Sequence, residues 1–199
     1  MRALLLKDWY MARKYCDSYL FIVLVFLVLS FVSDNVIFYT YPCMMTGLLP
    51  YTLYSYDERE KFTSYCAAMP VSKRQYVSEK YVFGLIASAA AALLTLICII
   101  IKGKTSELMP MLGAATIAAL ISQAAMLPFG FKFGVEKGRI LFIAVVAVLF
   151  AAFYIVMGSG DSAPTLSGEA LGYISLAVSA LLFAASWLLS QRIYENKEF

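Results

Sequence analysis

Residues whose types could do chemistry are concentrated in one stretch of the chain, residues 55–80. Elsewhere the options are few, because the chain has no histidine, which excludes His-ligated metal sites, Ser-His triads and His proton relays. The four cysteines, Cys16, Cys43, Cys66 and Cys98, have no regular spacing and are typical of small apolar packing residues. No G-x-x-x-x-G-K-[ST] phosphate loop occurs either. We therefore expect no enzyme active site, cofactor or metal in this chain.

Within residues 55–80 the pattern predicts two helices with a break between them. Ser55 with Glu58, and Ser72 with Gln75, have the spacing of a capping box at a helix start. Pro70 disfavours helix at the residue before it. The first predicted helix has an apolar stripe at i, i+3, i+4 and i+7, formed by Phe62, Tyr65, Cys66 and Met69.

This stripe has two interpretations, and the pattern alone favours neither. The helix could lie back on the membrane surface, or it could dock into a soluble partner. In the second case an aromatic anchor would be surrounded by charges, as in transient interfaces. The charged residues in question are Asp57, Glu58, Arg59, Glu60 and Lys61.

The elements that position this stretch are predicted to be membrane spans. Of the 199 residues, 62% are hydrophobic and 15% charged, with a mean hydropathy of +0.77, whereas soluble domains have about 45–50% and 25%. We expect a single all-α polytopic membrane domain over residues 1–199. Six transmembrane helices are predicted at residues 18–33, 35–56, 81–101, 108–131, 140–160 and 170–191. The net charge of +3 is too small to indicate a nucleic-acid partner.

The basic residues predict the orientation. Of the 16 Lys and Arg residues, all but Lys102 and Lys104 fall on the side that holds both termini, which is therefore cytoplasmic. Residues 1–17 are predicted to form an interfacial helix, with Leu5, Trp9, Ala12 and Cys16 along one stripe and Lys7 and Asp8 mostly elsewhere. The alternative is a frayed extension of span one.

The spans themselves offer little chemistry. No acidic or basic residue lies at the centre of any span, which argues against a proton- or sodium-coupled carrier. Gln123 is the one amide deep within an apolar span, and such a residue is more often an inter-helix hydrogen-bond partner than part of a ligand site. Span two is unusual, because it contains Pro42 and Pro50 together with Met and aromatic residues. Its side chains could line a cavity for an amphipathic ligand, or pack against lipid and other helices.

Two segments carry a resemblance to a known family. The chain begins Met1-Arg2-Ala3-Leu4-Leu5-Leu6-Lys7-Asp8, and the loop resembles "D-E-x-x-K-W-x-x-Y-x-x-x-L-P-V-S-R-x-x-[IV]-V-x-x-K-Y". The loop positions that match are Asp57, Glu58, Lys61, Tyr65, Pro70, Val71, Ser72, Val77, Lys80 and Tyr81. Phe62 stands where Trp is usual, and Met69 where Leu is usual. The chain thus resembles the permease subunits of type-2 ATP-binding-cassette exporters, especially small bacterial exporters of peptide toxins and antimicrobial peptides.

The resemblance implies a type-2 exporter permease fold in the bacterial cytoplasmic membrane. Residues 57–69 would be a coupling helix on a separate ATPase subunit, which holds ATP and Mg, and a second permease chain would complete the assembly. The implied ATPase-interface residues are Asp57, Glu58, Arg59, Lys61, Phe62, Tyr65, Met69, Pro70, Lys73 and Arg74. Spans two and five would line the substrate cavity, with Phe38, Tyr41, Met45, Leu49, Phe142, Val146, Phe150 and Phe153 as candidates. The alternative is a non-pumping membrane immunity or scaffold protein.

Overall fold

The structure is a computed structural model, and it describes residues 2–15, 17–33, 35–62, 65, 72–103, 105–144 and 168–196. Apart from short turns these residues are helical, and none of them lies in a strand. In chain order the helices are α1 (Arg2–Tyr15), α2 (Asp17–Val32), α3 (Val36–Arg59), α4 (Lys73–Lys102), α5 (Thr105–Phe133), α6 (135–144) and α7 (Gly168–Glu195). The predicted all-α fold is confirmed.

Among the described residues, three helical ranges are long and apolar enough to cross a membrane: Lys73–Lys102, Leu108–Phe133 and Leu176–Glu195. They coincide with predicted spans three, four and six. Helices α1 and α2 pass the same test only as a pair, and a 72° bend separates them. The chain is thus a helical membrane protein, while the count of six spans stays a prediction. Residues 145–160, most of predicted span five, lie outside the described residues.

Helix α3 corrects one prediction about the loop that follows it. It begins after Asn35, whose side chain accepts a hydrogen bond from the Ile37 N–H, and it continues without a break to Arg59. The predicted helix start at Ser55 is therefore wrong. Tyr54 and Asp57 on either side of Ser55 are buried, so packing extends the helix through a sequence that locally resembles a cap.

The second predicted helix start is confirmed. The Ser72 hydroxyl accepts a hydrogen bond from the Gln75 N–H, and the Gln75 side chain accepts one from the Ser72 N–H, which completes a capping box. Helix α4 then runs for 30 residues and ends at Gly103. This glycine has a φ of +69°, a left-handed conformation that glycine adopts without steric cost.

Helix α1 is formed as predicted. Of its predicted apolar stripe, Ala12 is buried in the bundle and Trp9 is 60% exposed, which fits an interfacial helix whose apolar stripe meets the membrane. The buried positions are Leu4, Asp8 and Ala12, which lie four residues apart and therefore share one helix face. Asp8 lies on this face because a lysine from α4 neutralises its carboxylate, as described below.

Helix α5 lies against α3 and α7 and holds the bundle together. At Gly47 the backbones of α3 and α5 approach so closely that a Cβ atom would lie 2.8 Å from the Ala119 carbonyl oxygen. Gln123 donates a hydrogen bond to the Tyr81 carbonyl oxygen of α4 at 3.3 Å, which confirms its predicted role as an inter-helix partner. The end of the bundle nearest the loop is filled by an aromatic-rich cluster: Tyr54, Tyr76, Val77, Tyr81, Leu127, Phe131 and Tyr194.

Candidate functional site

A cluster of buried charges includes Asp57, the first residue of the predicted coupling segment. The Lys80 Nζ atom is 2.5 Å from Asp8 Oδ2 and 2.7 Å from Asp57 Oδ2. Lys7 Nζ lies 2.7 Å and 2.8 Å from the two carboxylate oxygens of Asp57, and 3.0 Å from Asp8 Oδ1. The side chains of Lys80, Asp8 and Asp57 are 0–1% exposed, and that of Lys7 is 21% exposed. Two positive and two negative charges thus face one another inside the protein.

The cluster joins three helices that are distant in the sequence. Lys7 and Asp8 come from the middle of α1, Asp57 from the last turn of α3, and Lys80 from the third turn of α4. Asp57 and Lys80 flank residues 58–79, which include the loop between α3 and α4. Their ion pair therefore holds the two ends of this loop at a fixed separation and ties both of them to α1.

Aromatic groups enclose the charges. The Tyr76 hydroxyl donates to Asp57 Oδ2 at 2.9 Å, and Lys7 Nζ lies 3.9 Å from the centroid of the Phe62 ring, within cation–π range. Phe62 also contacts the Tyr76 ring, with centroids 6.4 Å apart. The loop aromatic is thus packed on the charge cluster of its own chain.

The surroundings of Asp8 keep it ionised. Burial alone would raise the pKa of the Asp8 carboxyl, but the Lys80 ammonium, the neighbouring Glu79 carboxyl and the Lys7 ammonium together outweigh burial and hold that pKa below its ordinary value. The cluster also contains a fifth ionisable side chain. Glu79 is fully buried, and its Oε2 atom lies 3.8 Å from Lys80 Nζ. The cluster is therefore an electrostatic joint between helices, with lysines beside its acids. Among the described residues no group of three His, Cys, Asp or Glu could hold a metal ion.

The predicted ATPase-interface residues fall into three groups in the structure. Asp57 is buried in the charge cluster, and Glu58 accepts a hydrogen bond from the Val135 N–H at 2.8 Å, so both bind groups of their own chain. Phe62 is half-buried on the cluster. The exposed members are Arg59, Lys61, Tyr65, Lys73 and Arg74. Met69 and Pro70 lie outside the described residues.

Two of the exposed basic residues already have contacts within the chain. The Arg74 guanidinium forms an ion pair with the Glu195 carboxylate, and Lys73 Nζ donates to the Glu195 carbonyl oxygen at 3.1 Å. These contacts join the start of α4 to the end of α7. Arg59, Lys61 and Tyr65 consequently form the exposed part of the predicted interface that lies nearest to the charge cluster.

The predicted cavity residues of span two have different neighbours in the structure. The Tyr41 ring stacks on Phe26 of α2 at 4.1 Å, and the Phe38 ring lies 5.7 Å from that same ring. Leu49 is buried one helix turn from Leu53 and packs in another cluster, with Ala12 and Phe83. Met45 and Phe142 are half-buried. The remaining candidates, Val146, Phe150 and Phe153, lie outside the described residues.

Sequence reasoning missed the charge cluster and placed Lys7 and Asp8 away from the buried face of α1. A usable signal was present, because Lys7-Asp8 and Glu79-Lys80 are adjacent opposite charges on helices whose neighbouring residues are apolar. A charged residue on an otherwise apolar helix face must find a partner when it is buried. The sequence does not show which helix supplies the oppositely charged partner of each of these residues.

Comparison with known families adds one finding. The sequence model of a family described as "ABC-2 family transporter protein" matches residues 3–195. No curated protein and no solved structure matches the chain. The family match spans all three helices that contribute to the charge cluster.

Proposed function

The chain belongs to the ABC-2 family of transporter proteins, and on this premise we propose that it is the permease subunit of an ATP-driven exporter. Members of the family are membrane components of transporters and work with an ABC ATPase. In the proposal, residues 57–69 dock on this separate ATPase subunit, which holds ATP and Mg. A second permease chain, identical or paralogous, completes the assembly in a bacterial cytoplasmic membrane, with both termini cytoplasmic.

The observation that carries the proposal is the charge cluster at the two ends of the loop. Movement of the loop by a docked ATPase would pull on Asp57 and on Lys80 together, because their side chains are 2.7 Å apart. Lys80 lies at the start of a 30-residue helix long enough to cross the membrane. A displacement at the loop would therefore be transmitted into α4, and through Asp8 into α1.

The contact with the ATPase is assigned to the exposed part of the segment. Tyr65 is 64% exposed and lies beyond Arg59 and Lys61, which are also exposed. An exposed aromatic side chain among charges is the composition of a transient interface with a protein. Asp57, Glu58 and Phe62 contribute indirectly, by fixing where this surface lies.

The substrate is proposed to be amphipathic, with a peptide favoured by the resemblance to small peptide exporters. The Met and aromatic residues of α3 support this choice, because such side chains repack around ligands of variable shape. The non-pumping alternative, an immunity or scaffold protein, would not need an ATPase-binding surface on the loop.

Gentle solubilisation of native membranes that contain the tagged chain would test the docking. We expect an ATPase subunit with a phosphate-loop motif to co-purify, and Tyr65→Ala to reduce its recovery about tenfold, as for an aromatic interface hot spot. Tyr10→Ala is the matched control, since Tyr10 is 62% exposed but lies on α1. Recovery of a well-folded chain without any ATPase, or equal recovery with both variants, would contradict the proposal and favour the scaffold alternative.

A further inference from the structure

An apolar groove of about 420 Å³ lies among α1, α2, α3 and α4. Its wall includes Ala12 and Arg13 from α1, Tyr19 from α2, Leu49 from α3, and Phe83 and Ala90 from α4. The volume falls in the range of small-molecule sites, about 300–1,000 Å³. The groove is separate from the charge cluster, and Leu49 is the one predicted substrate-cavity residue among the described residues that line it.

The groove has an apolar wall and one positively charged side chain, that of Arg13. Arg13 is the only charged residue among those that line it, and no described carboxylate lies within ion-pair distance of Arg13. Trp9 lines the same end and is 60% exposed. A ligand that satisfies both features needs a long apolar part and an anionic group at one end.

The open side of the groove faces the surroundings of the bundle. Ile86 and Leu94 line it from α4 and are 56% and 50% exposed, and Ala90 between them is exposed as well. In a membrane these surroundings would be lipid, because α4 is long and apolar enough to cross it. Helix α1, bent by 72° from α2, has the composition of an interfacial helix, with Trp9 and Arg13 suited to headgroup depth.

We propose that this groove binds one acyl chain of an anionic phospholipid, whose phosphate is bound by the Arg13 guanidinium. Arginine presents paired N–H donors that match phosphate oxygens. The acyl chain fills the space between α1 and α4 that no described side chain occupies. The bound lipid thereby supports α1 against the spans, on the face next to the buried Ala12.

Native mass spectrometry of the purified full-length chain tests the headgroup. The probes are phosphatidylglycerol and phosphatidylcholine with the same acyl chains, each added separately. We expect phosphatidylglycerol to be retained preferentially, and Arg13→Gln to weaken its retention about tenfold, as for loss of a charge-assisted hydrogen bond. Lys14→Gln, which removes the neighbouring exposed charge outside the groove, is expected to leave retention unchanged.

A second pair of variants tests the acyl-chain site. Ala90→Leu adds volume inside the groove and is expected to reduce retention of phosphatidylglycerol several-fold. Ala89→Leu makes the same change at an exposed position of α4 that does not line the groove and should have no effect. The exposed positions of both alanines keep the variants compatible with folding, which the melting temperature of each checks.

Three outcomes would overturn the proposal: equal retention of both lipids, retention unaffected by Arg13→Gln and Ala90→Leu, or no retained lipid. In the last case, a dimer lost on Ala90→Leu would identify the groove as a contact between copies of the chain. The measurement needs no ATPase and no transport, so its failure is distinguishable from failure of the proposed function.

Discussion

Two groups of ion pairs fix the beginning of α4, and they differ in burial. Lys80 pairs with Asp8 and Asp57, and all three side chains are 0–1% exposed. Two turns earlier, Arg74 pairs with Glu195 of α7, and these side chains are 67% and 35% exposed. Both groups join helices that are distant in the sequence. The main difference between them is exposure to water, so comparing them shows how water changes the contribution of an ion pair to stability.

An ion pair inside the protein therefore affects stability differently from an ion pair on its surface. Water screens the exposed pair, and either partner remains well solvated when the other is removed. The buried charges have lost their hydration, so each depends on its partners and tolerates their removal poorly. The buried group therefore determines how α1, α3 and α4 pack, whereas the exposed group adds a minor contact.

The largest effect is expected from Lys80→Met, which leaves the buried carboxyl groups of Asp8, Asp57 and Glu79 with Lys7 as the remaining cation of the cluster. Removing one partner of a buried ion pair costs about 3–5 kcal/mol in free energy of unfolding. Thermal unfolding of the detergent-solubilised chain measures the change. Lys14→Met is the control, since Lys14 is exposed on α1, and we expect it to unfold like the wild type. Equal melting temperatures for the two variants would contradict the conclusion that the buried charges depend on Lys80.

An intermediate effect is expected from Tyr76→Phe, which removes the hydroxyl that donates to Asp57 Oδ2 at 2.9 Å. Asp57 keeps both lysines, so the loss is that of one hydrogen bond to a charged group, about 1.5–3 kcal/mol. The same unfolding measurement applies, with Tyr10→Phe at an exposed position as the control. A loss as large as that of Lys80→Met would show that the hydroxyl, and not the charge balance, holds the cluster together.

The smallest effect is expected from the exposed group. Arg74→Gln, Glu195→Gln and the double variant should unfold within experimental error of the wild type at physiological salt, because water and ions screen this pair. A double-mutant cycle measures the coupling between the two side chains directly. A coupling that is large, and that persists at high salt, would contradict the distinction drawn from burial.

How far the fold was predictable depends on whether local patterns or distant contacts decide each element. The start of α4 was predicted correctly, because the Ser72 and Gln75 side chains cap their own helix through contacts three residues apart. The start at Ser55 was predicted on the same spacing and is wrong. There the helix continues because Tyr54 and Asp57 are buried by other helices, and tertiary packing outweighs a local cap.

Some residues of the candidate site could likewise be predicted from local sequence, and others could not. Resemblance drew attention to Asp57 and Lys80, and the structure places both of them in the site, although Asp57 is inside the protein and not on its surface. The contribution of Lys7 and Asp8 from α1 was not predictable, because it depends on a contact between residues 8 and 80. Helical periodicity assigns residues to a face, but it does not say which charges on another helix will meet that face.

Composition and continuous apolar stretches are enough to predict a helical membrane protein, because lipid leaves the backbone few other ways to satisfy its hydrogen bonds. The absence of histidine is likewise enough to exclude a histidine-based site. The family match and the capping of α4 also follow from the order of residues alone. Only the tertiary structure decided that Lys7, Asp8, Asp57 and Lys80 form one buried cluster. The physical reason is that a buried charge is stable only beside an opposite charge, and folding alone brings these distant residues together.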